Sequence, residues 1–147
     1  MPETGYGFIP TAREWRIGAL HYLYFLIVGL PLALAIRATH LIQPKPVWVV
    51  AATFLGFLWF ISLTEEFFFR GVLQAWFEKW TRNQTAGLLL TSVVFGLIHY
   101  PFRGWGWVLL GGLLGFFCGR ARNLSGGIRA GVVTHALVVT TWRAFFA

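Results

Sequence analysis

Charge is the scarcest commodity in this chain. Only 12% of its residues are Asp, Glu, Lys or Arg, and just five of them are acidic. A soluble domain usually carries about 25% charged residues, so a water-facing surface is poorly provided for. A core cannot absorb the shortfall, because a domain of 147 residues still exposes roughly a third of its unfolded surface. With 57% hydrophobic residues and a mean hydropathy of +0.67, the solvent that suits this composition is lipid.

Other absences narrow the function. A single cysteine, Cys118, excludes a disulfide within the chain, and its apolar surroundings mark it as a small buried side chain. There is no basic cluster. The net charge of +7 resides mostly in the short gaps between apolar runs, as in membrane proteins, which argues against nucleic acid as a partner. A cleavable leader is not expected either, since the first apolar run is too long for a signal-peptide core. The string Pro2-Glu3-Thr4-Gly5 resembles a sortase recognition site but stands at the wrong end of the chain, and is read as coincidence.

What is present is a series of apolar runs. Ile17 to Ile36 has no charge and meets the requirement of about 20 apolar residues for a membrane helix, with Pro31 as a point of kinking. Two prolines, Pro44 and Pro46, break the chain before the second run. From Val47 to Trp80 no breaker intervenes, so one helix of about 50 Å is expected, longer than a hydrocarbon core of about 30 Å. It must tilt, kink or protrude. Further runs cover Thr85 to Tyr100, Trp105 to Gly119 and Ile128 to Ala147. Gly111, Gly115 and Gly119 recur every fourth residue, the small-residue pattern of closely packed membrane helices, read as architecture without chemistry. The expected fold is all-α: a polytopic transmembrane bundle of about five helices, in a single domain spanning 1–147.

Ionisable side chains inside such runs are costly and mark functional sites by default. Glu65 lies 18 residues before Asn83 and His99 lies 16 after it. In an antiparallel hairpin both stand roughly 24 to 27 Å from the turn, so a carboxylate and an imidazole come out at nearly equal depth. His135, about ten residues past the next turn on that side, stands roughly 15 Å up and falls short by up to a helical turn. Glu66 and Arg70 have the i, i+4 spacing of an ion pair, and Gln74 and Glu78 prolong their row. Glu65 points about 100° away from that row and is left free to accept a proton. His21 and His40 lie near segment ends and are read as interfacial.

Glu65-Glu66-x-x-x-Arg70, then Phe95-x-x-x-His99, then His135 in a later helix resemble the CPBP family, which includes CAAX prenyl proteases and bacteriocin-processing (Abi) enzymes. The likeness covers roughly residues 64–139. It implies a glutamic-type intramembrane endopeptidase in which Glu65 and His99 activate water and His135 belongs to the oxyanion-stabilising motif. Glu66 and Arg70 would support the first motif, and Phe95 would pack beside the site. No cofactor and no metal is implied, and no residue is assigned to substrate binding. Two departures stand out. Where the family's third motif has Asn or Asp four residues after its histidine, this chain has Val139. Thr134, Thr140 and Thr141 are the hydroxyls at hand, and helical geometry brings only Thr134 and Thr141 within about 60° of the missing amide. The chain also has about five helices where relatives often have around eight, which implies a minimal core or one half of a complex with a partner subunit. Some very short relatives accompany bacterial C-terminal sorting signals.

These residues lead to hydrolysis of a peptide bond in a membrane-embedded or membrane-anchored protein, with the lipid bilayer as the other partner and a bacterial inner membrane as the setting. Phe67 to Phe69 and Trp105 to Trp107 are the expected apolar walls. Three rivals are kept. One Glu and two His make a zinc ligand set chemically, although no His-Glu-x-x-His helix is present. A non-catalytic immunity or peptide-binding protein suits Val139. A small transporter would use a buried carboxylate relay. Counting basic residues at the two ends of the runs gives seven against four, which puts the N-terminus inside and the Glu65 end outside.

Overall fold

The computed structural model describes residues 8–147, with Phe102 described by its backbone alone; the Pro2–Gly5 string lies outside the described residues. The described residues form five helices: α1 (Ala12–Ala35), α2 (Val47–Thr81), α3 (Gln84–Leu97), α4 (Tyr100–Ser125) and α5 (Arg129–Phe145). The all-α bundle expected from the sequence is the one observed.

Local chemistry sets the boundaries. Thr11 and Glu14 cap α1 reciprocally: the Thr11 backbone N–H donates to Glu14 Oε2 at 2.8 Å, and the Glu14 N–H donates to Thr11 Oγ1 at 3.3 Å. That pairing satisfies two of the orphan donors at a helix start. Arg82 ends α2 in the left-handed conformation, and the Asn83 side chain then accepts from the Ala86 N–H at 3.0 Å to begin α3. Gly126, at φ 81°, closes α4, a conformation that costs glycine nothing. Pro44 and Pro46 lie in the strap between α1 and α2. Its backbone pairs with the end of α5 through His40 and Ala147, Ile42 and Phe145, and Lys45 and Ala144.

α2 runs unbroken over 35 residues, but not as a regular α-helix. Phe57–Ile61 and Phe67–Leu73 are π-helical and flank a five-residue α segment, Ser62–Glu66. Such π turns concentrate at functional sites, and here they bracket both glutamates. The outward faces are apolar. In the apolar windows of α1 and α2, only 28% and 11% of residues are buried, and Val47, Trp48 and Phe60 are each more than 70% exposed. Both helices are long and apolar enough to cross a membrane.

Two sequence expectations change. His99 does not sit inside a span: α3 stops at Leu97, and His99 forms the corner where α4 begins, with Pro101 in the first turn of α4 and the chain bent again at Gly104 (φ 71°). Proline tolerates a first turn because the N–H it lacks has no helical partner there. His21, expected at an interface, is 2% exposed. Its Nδ1 lies 2.8 Å from the Ile17 carbonyl, and its ring packs against Tyr24 and Phe117. His40 is exposed in the strap.

The glycine column of α4 does more than allow close approach. A Cβ on Gly115 would lie 3.1 Å from Ser92 Cα and 3.3 Å from both Phe95 Cβ and Arg70 Nη2, and one on Gly111 would lie 3.0 Å from His99 Nδ1. The column therefore sets α3 and the polar row of α2 at contact distance. Gly115→Val should overpack this seam and destabilise the protein by about 1–3 kcal/mol. Gly56→Ala, where an added Cβ meets nothing within 4 Å, should stabilise it by about 0.5–1 kcal/mol. Thermal unfolding of both variants in one detergent checks the pair.

Candidate active site

Glu65 and Glu66 are neighbours in sequence but point into different surroundings, as adjacent helical residues must. The Glu66 and Arg70 side chains are both fully buried, with Arg70 Nη1 3.1 Å from Glu66 Oε1. Two buried charges repay their desolvation only when geometry and further hydrogen bonds are good. Here Arg70 Nη2 donates to the Gly115 carbonyl at 3.0 Å, and the guanidinium lies over the Phe95 ring at 4.4 Å. Gly131 leaves room for the carboxylate, since a Cβ there would stand 2.9 Å from Glu66 Oε2.

From this pair the order passes to His135. Its Nδ1 is 2.9 Å from Glu66 Oε1. An ionised carboxylate only accepts, so Nδ1 carries the hydrogen and Nε2 is turned the other way. Nε2 stands 3.8 Å from Glu65 Oε2, beyond direct hydrogen-bonding distance. His99 is oriented by the same logic. Its Nδ1 lies 2.8 Å from the Phe95 carbonyl, an acceptor, so its Nε2 is also left for a solvent or substrate partner. Phe95, fully buried, supports both imidazoles, with ring centroids 5.2 Å from His99 and 5.6 Å from His135.

Glu65, His99 and His135 line one cavity of about 350 Å³. The Glu65 side chain is 37% exposed, so this carboxylate, unlike Glu66, opens onto the cavity. The remaining wall is mostly apolar, including Phe25, Ile61, Trp107, Leu110, Val138 and Trp142. Trp107 belongs to the aromatic wall expected from the sequence. Phe67–Phe69, expected in the same wall, do not line the cavity: Phe67 and Phe68 face outward, and Phe69 is buried at 4.9 Å from the Phe95 ring.

Val139 lines the cavity, so an isopropyl group occupies the wall where the family pattern has an amide or acid. None of the threonines replaces it. Thr134 Oγ1 donates to the Gly18 or Ala130 carbonyl, each at 3.0 Å, and Thr141 Oγ1 pairs with the Tyr22 hydroxyl at 2.9 Å. Thr140 Oγ1 is buried without a partner but borders a second, smaller cavity with Lys45 and Thr53. Helical direction alone favoured Thr134 and Thr141, and both are engaged elsewhere.

Arg103 and Arg143 are among the basic residues counted at the ends of the apolar runs, and both line the main cavity. Arg143 could have been found from its spacing, two turns beyond His135 on the same face of α5. Among the described residues, those grouped closely enough to hold a metal ion are Glu66, Cys118 and His135, whose ligand atoms lie within 4.8 Å of one another, rather than Glu65, His99 and His135. Glu66 Oε1 is already engaged by Arg70 and His135, which leaves the buried, unpartnered Oε2 as the oxygen that could face a cation.

Because the pair is wholly buried, removing one partner strands the other. Arg70→Met or Glu66→Gln should each destabilise the protein by about 3–5 kcal/mol, and Glu66→Leu with Arg70→Met should recover most of that loss. Denaturant titration of the three variants in micelles tests this, and additive losses in the double variant would contradict it.

No curated protein and no solved structure matches the chain. The family model described as type II CAAX prenyl endopeptidase Rce1-like matches residues 45–141, a span that reaches from the strap before α2 to within α5 and takes in Glu65, His99 and His135. The chain belongs to the Rce1-like family of type II CAAX prenyl endopeptidases.

Proposed function

We propose that this protein is an intramembrane endopeptidase of a bacterial plasma membrane, cleaving a membrane-embedded or membrane-anchored protein with water activated by Glu65 and His99. The observation that carries the reading is the convergence of Glu65, His99 and His135 on one largely apolar cavity, in a chain whose family is one of endopeptidases. The apolar outer faces of α1 and α2 suit a bilayer, and the apolar cavity wall suits a hydrophobic segment of substrate.

In this mechanism the water oxygen bonds to the scissile carbonyl carbon while Glu65 takes the proton, the task of a general base within reach of its water. His99 presents an unprotonated Nε2 that accepts a hydrogen bond from the same water. His135 donates to the developing oxyanion through Nε2, which requires the imidazole to carry both protons. As the C–N bond breaks, the proton held by Glu65 passes to the leaving amine with His99 as the relay. Val139 leaves this oxyanion site one donor short, and a missing donor typically costs about 100- to 1000-fold in rate. Turnover is therefore expected to be slow. Val139 is also the one observation that favours a non-catalytic, peptide-binding role.

Glu65→Gln and His99→Ala distinguish the two. Both positions border open space rather than the core, so both variants should fold, and each should lower cleavage by about 100- to 10,000-fold. The check is mass spectrometry of peptides released in vesicles holding the purified protein. Undiminished cleavage by Glu65→Gln would end the protease reading. Val139→Asn should raise the rate about 10-fold or more if the amide restores the missing donor.

A further inference from the structure

Thr140 is 6% exposed, and its Oγ1 is buried without a hydrogen-bond partner. A threonine inside a helix can turn its hydroxyl to the carbonyl one turn back, as Thr64, Thr81, Thr91 and Thr134 do in this protein. Thr140 does not, and an unmet buried hydroxyl destabilises. The space it borders is the second cavity, of about 180 Å³. Val49, Val50 and Thr53 form one wall, sharing a face of α2 by their spacing. Thr140, Arg143 and Ala144 form the other wall from α5 in the same way. Lys45 closes the end. Its backbone N–H donates to the Ala144 carbonyl at 3.1 Å, which fixes this residue beside the last turns of α5.

The charge around this space has one sign. Lys45 and Arg143 are exposed, and neither forms an ion pair among the described residues, whereas Arg70, Arg122 and Arg129 each meet a carboxylate. The Arg143 guanidinium lies over the Phe57 ring at 5.0 Å, a contact that leaves its N–H groups able to donate. α2 begins here without a side-chain cap, so its first N–H groups add partial positive charge. Two cations, an uncapped helix start and an unengaged hydroxyl suit an oxyanion.

The level of the cavity in the protein selects the source of that oxyanion. The uncharged run of α2 begins at Val47, and Val47 and Trp48 are both exposed. Lys45 stands at the edge of this apolar face, and Thr53 lies six residues, roughly 9 Å, inside it. Basic residues and tryptophan at the end of an apolar run belong to the headgroup level of a bilayer. We infer that the cavity binds the phosphate of an anionic phospholipid headgroup, held by Lys45 and Arg143 with the Thr140 hydroxyl donating from beneath. A choline headgroup would bring a third cation against these two, so phosphatidylglycerol fits and phosphatidylcholine does not. Arg143 borders both cavities, but Lys45, Thr53 and Thr140 line only the second of them. The lipid site therefore stands or falls independently of the protease reading.

The test is thermal unfolding of the purified full chain in a neutral detergent at fixed ionic strength. Short-chain phosphatidylglycerol, phosphatidylcholine, diacylglycerol and sodium phosphate are titrated in separate arms. Expected is a saturable rise in Tm with phosphatidylglycerol, at a concentration about 10-fold or more below that needed for phosphatidylcholine or free phosphate, and no rise with diacylglycerol. Lys45→Gln should weaken phosphatidylglycerol binding about 10- to 100-fold, and Lys45→Arg should restore most of it. Thr140→Val keeps the shape and removes the unmet hydroxyl. It should leave the lipid-free Tm equal or higher while weakening phosphatidylglycerol about 3- to 10-fold; a threonine with a structural role alone would lower the lipid-free Tm and leave the affinity unchanged. Equal potency of phosphatidylglycerol and phosphatidylcholine, or of phosphatidylglycerol and free phosphate, would overturn the headgroup assignment. Affinity unchanged in both Lys45→Gln and Thr140→Val, or lost equally in Arg120→Gln near the far end of α4, would overturn the site.

Discussion

The interaction on which the rest depends is the buried contact of Glu66 with Arg70. It is the only place in the described residues where two fully buried charges of opposite sign meet, and each further element of the site is fixed relative to it. Gly115 of α4 accepts from Arg70, Phe95 of α3 lies under the guanidinium, and His135 of α5 is held by the carboxylate. One side-chain pair on α2 thus ties together the three helices that follow. A hydrophobic pair would hold the helices as well; it would not fix which imidazole nitrogen faces the cavity.

The two glutamates show how adjacent, chemically identical groups acquire different tasks from their surroundings. Glu66 is consumed by positioning, with no access to solvent. Glu65, one residue earlier, faces open volume and has only a long approach to His135. At the opposite end of α2 the same row ends in another polar network, in which Arg122 donates to Glu78 at 2.7 and 2.8 Å and Gln74 bridges Glu78 and Asn123. The helix is therefore anchored at Glu66 and again toward its C-terminal end by groups that tolerate little sliding.

Much of this was legible from residue order. Apolar run lengths gave the helices, the i, i+4 spacing gave the Glu66 and Arg70 contact, and arm lengths about Asn83 pointed to Glu65 and His99, which line one cavity. What escaped was whatever depends on three dimensions at once. No local signal distinguishes π from α turns, so the irregularity of α2 was invisible. His21 read as interfacial because its place near a segment end says nothing of Phe117, almost a hundred residues away. A single helix axis gives threonine directions but not their partners, and Thr134 and Thr141 are claimed by α1 through Gly18 and Tyr22. Arg103 and Arg143 looked like boundary charges because boundary charges are usually that.

The two π turns flanking Ser62–Glu66 carry a further implication for how such a chain can change length. Each turn accommodates an additional residue within an otherwise α-helical path. Deleting one residue from Phe67–Leu73 would let that stretch relax to α geometry while the segments on either side keep their facing. The same loss from the regular α turns of Gln74–Thr81 would swing everything before it by about 100°, and Glu65 would leave the cavity although no side chain near it had been altered. Tolerance of the helix to single-residue loss thus depends on which turn gives up the residue.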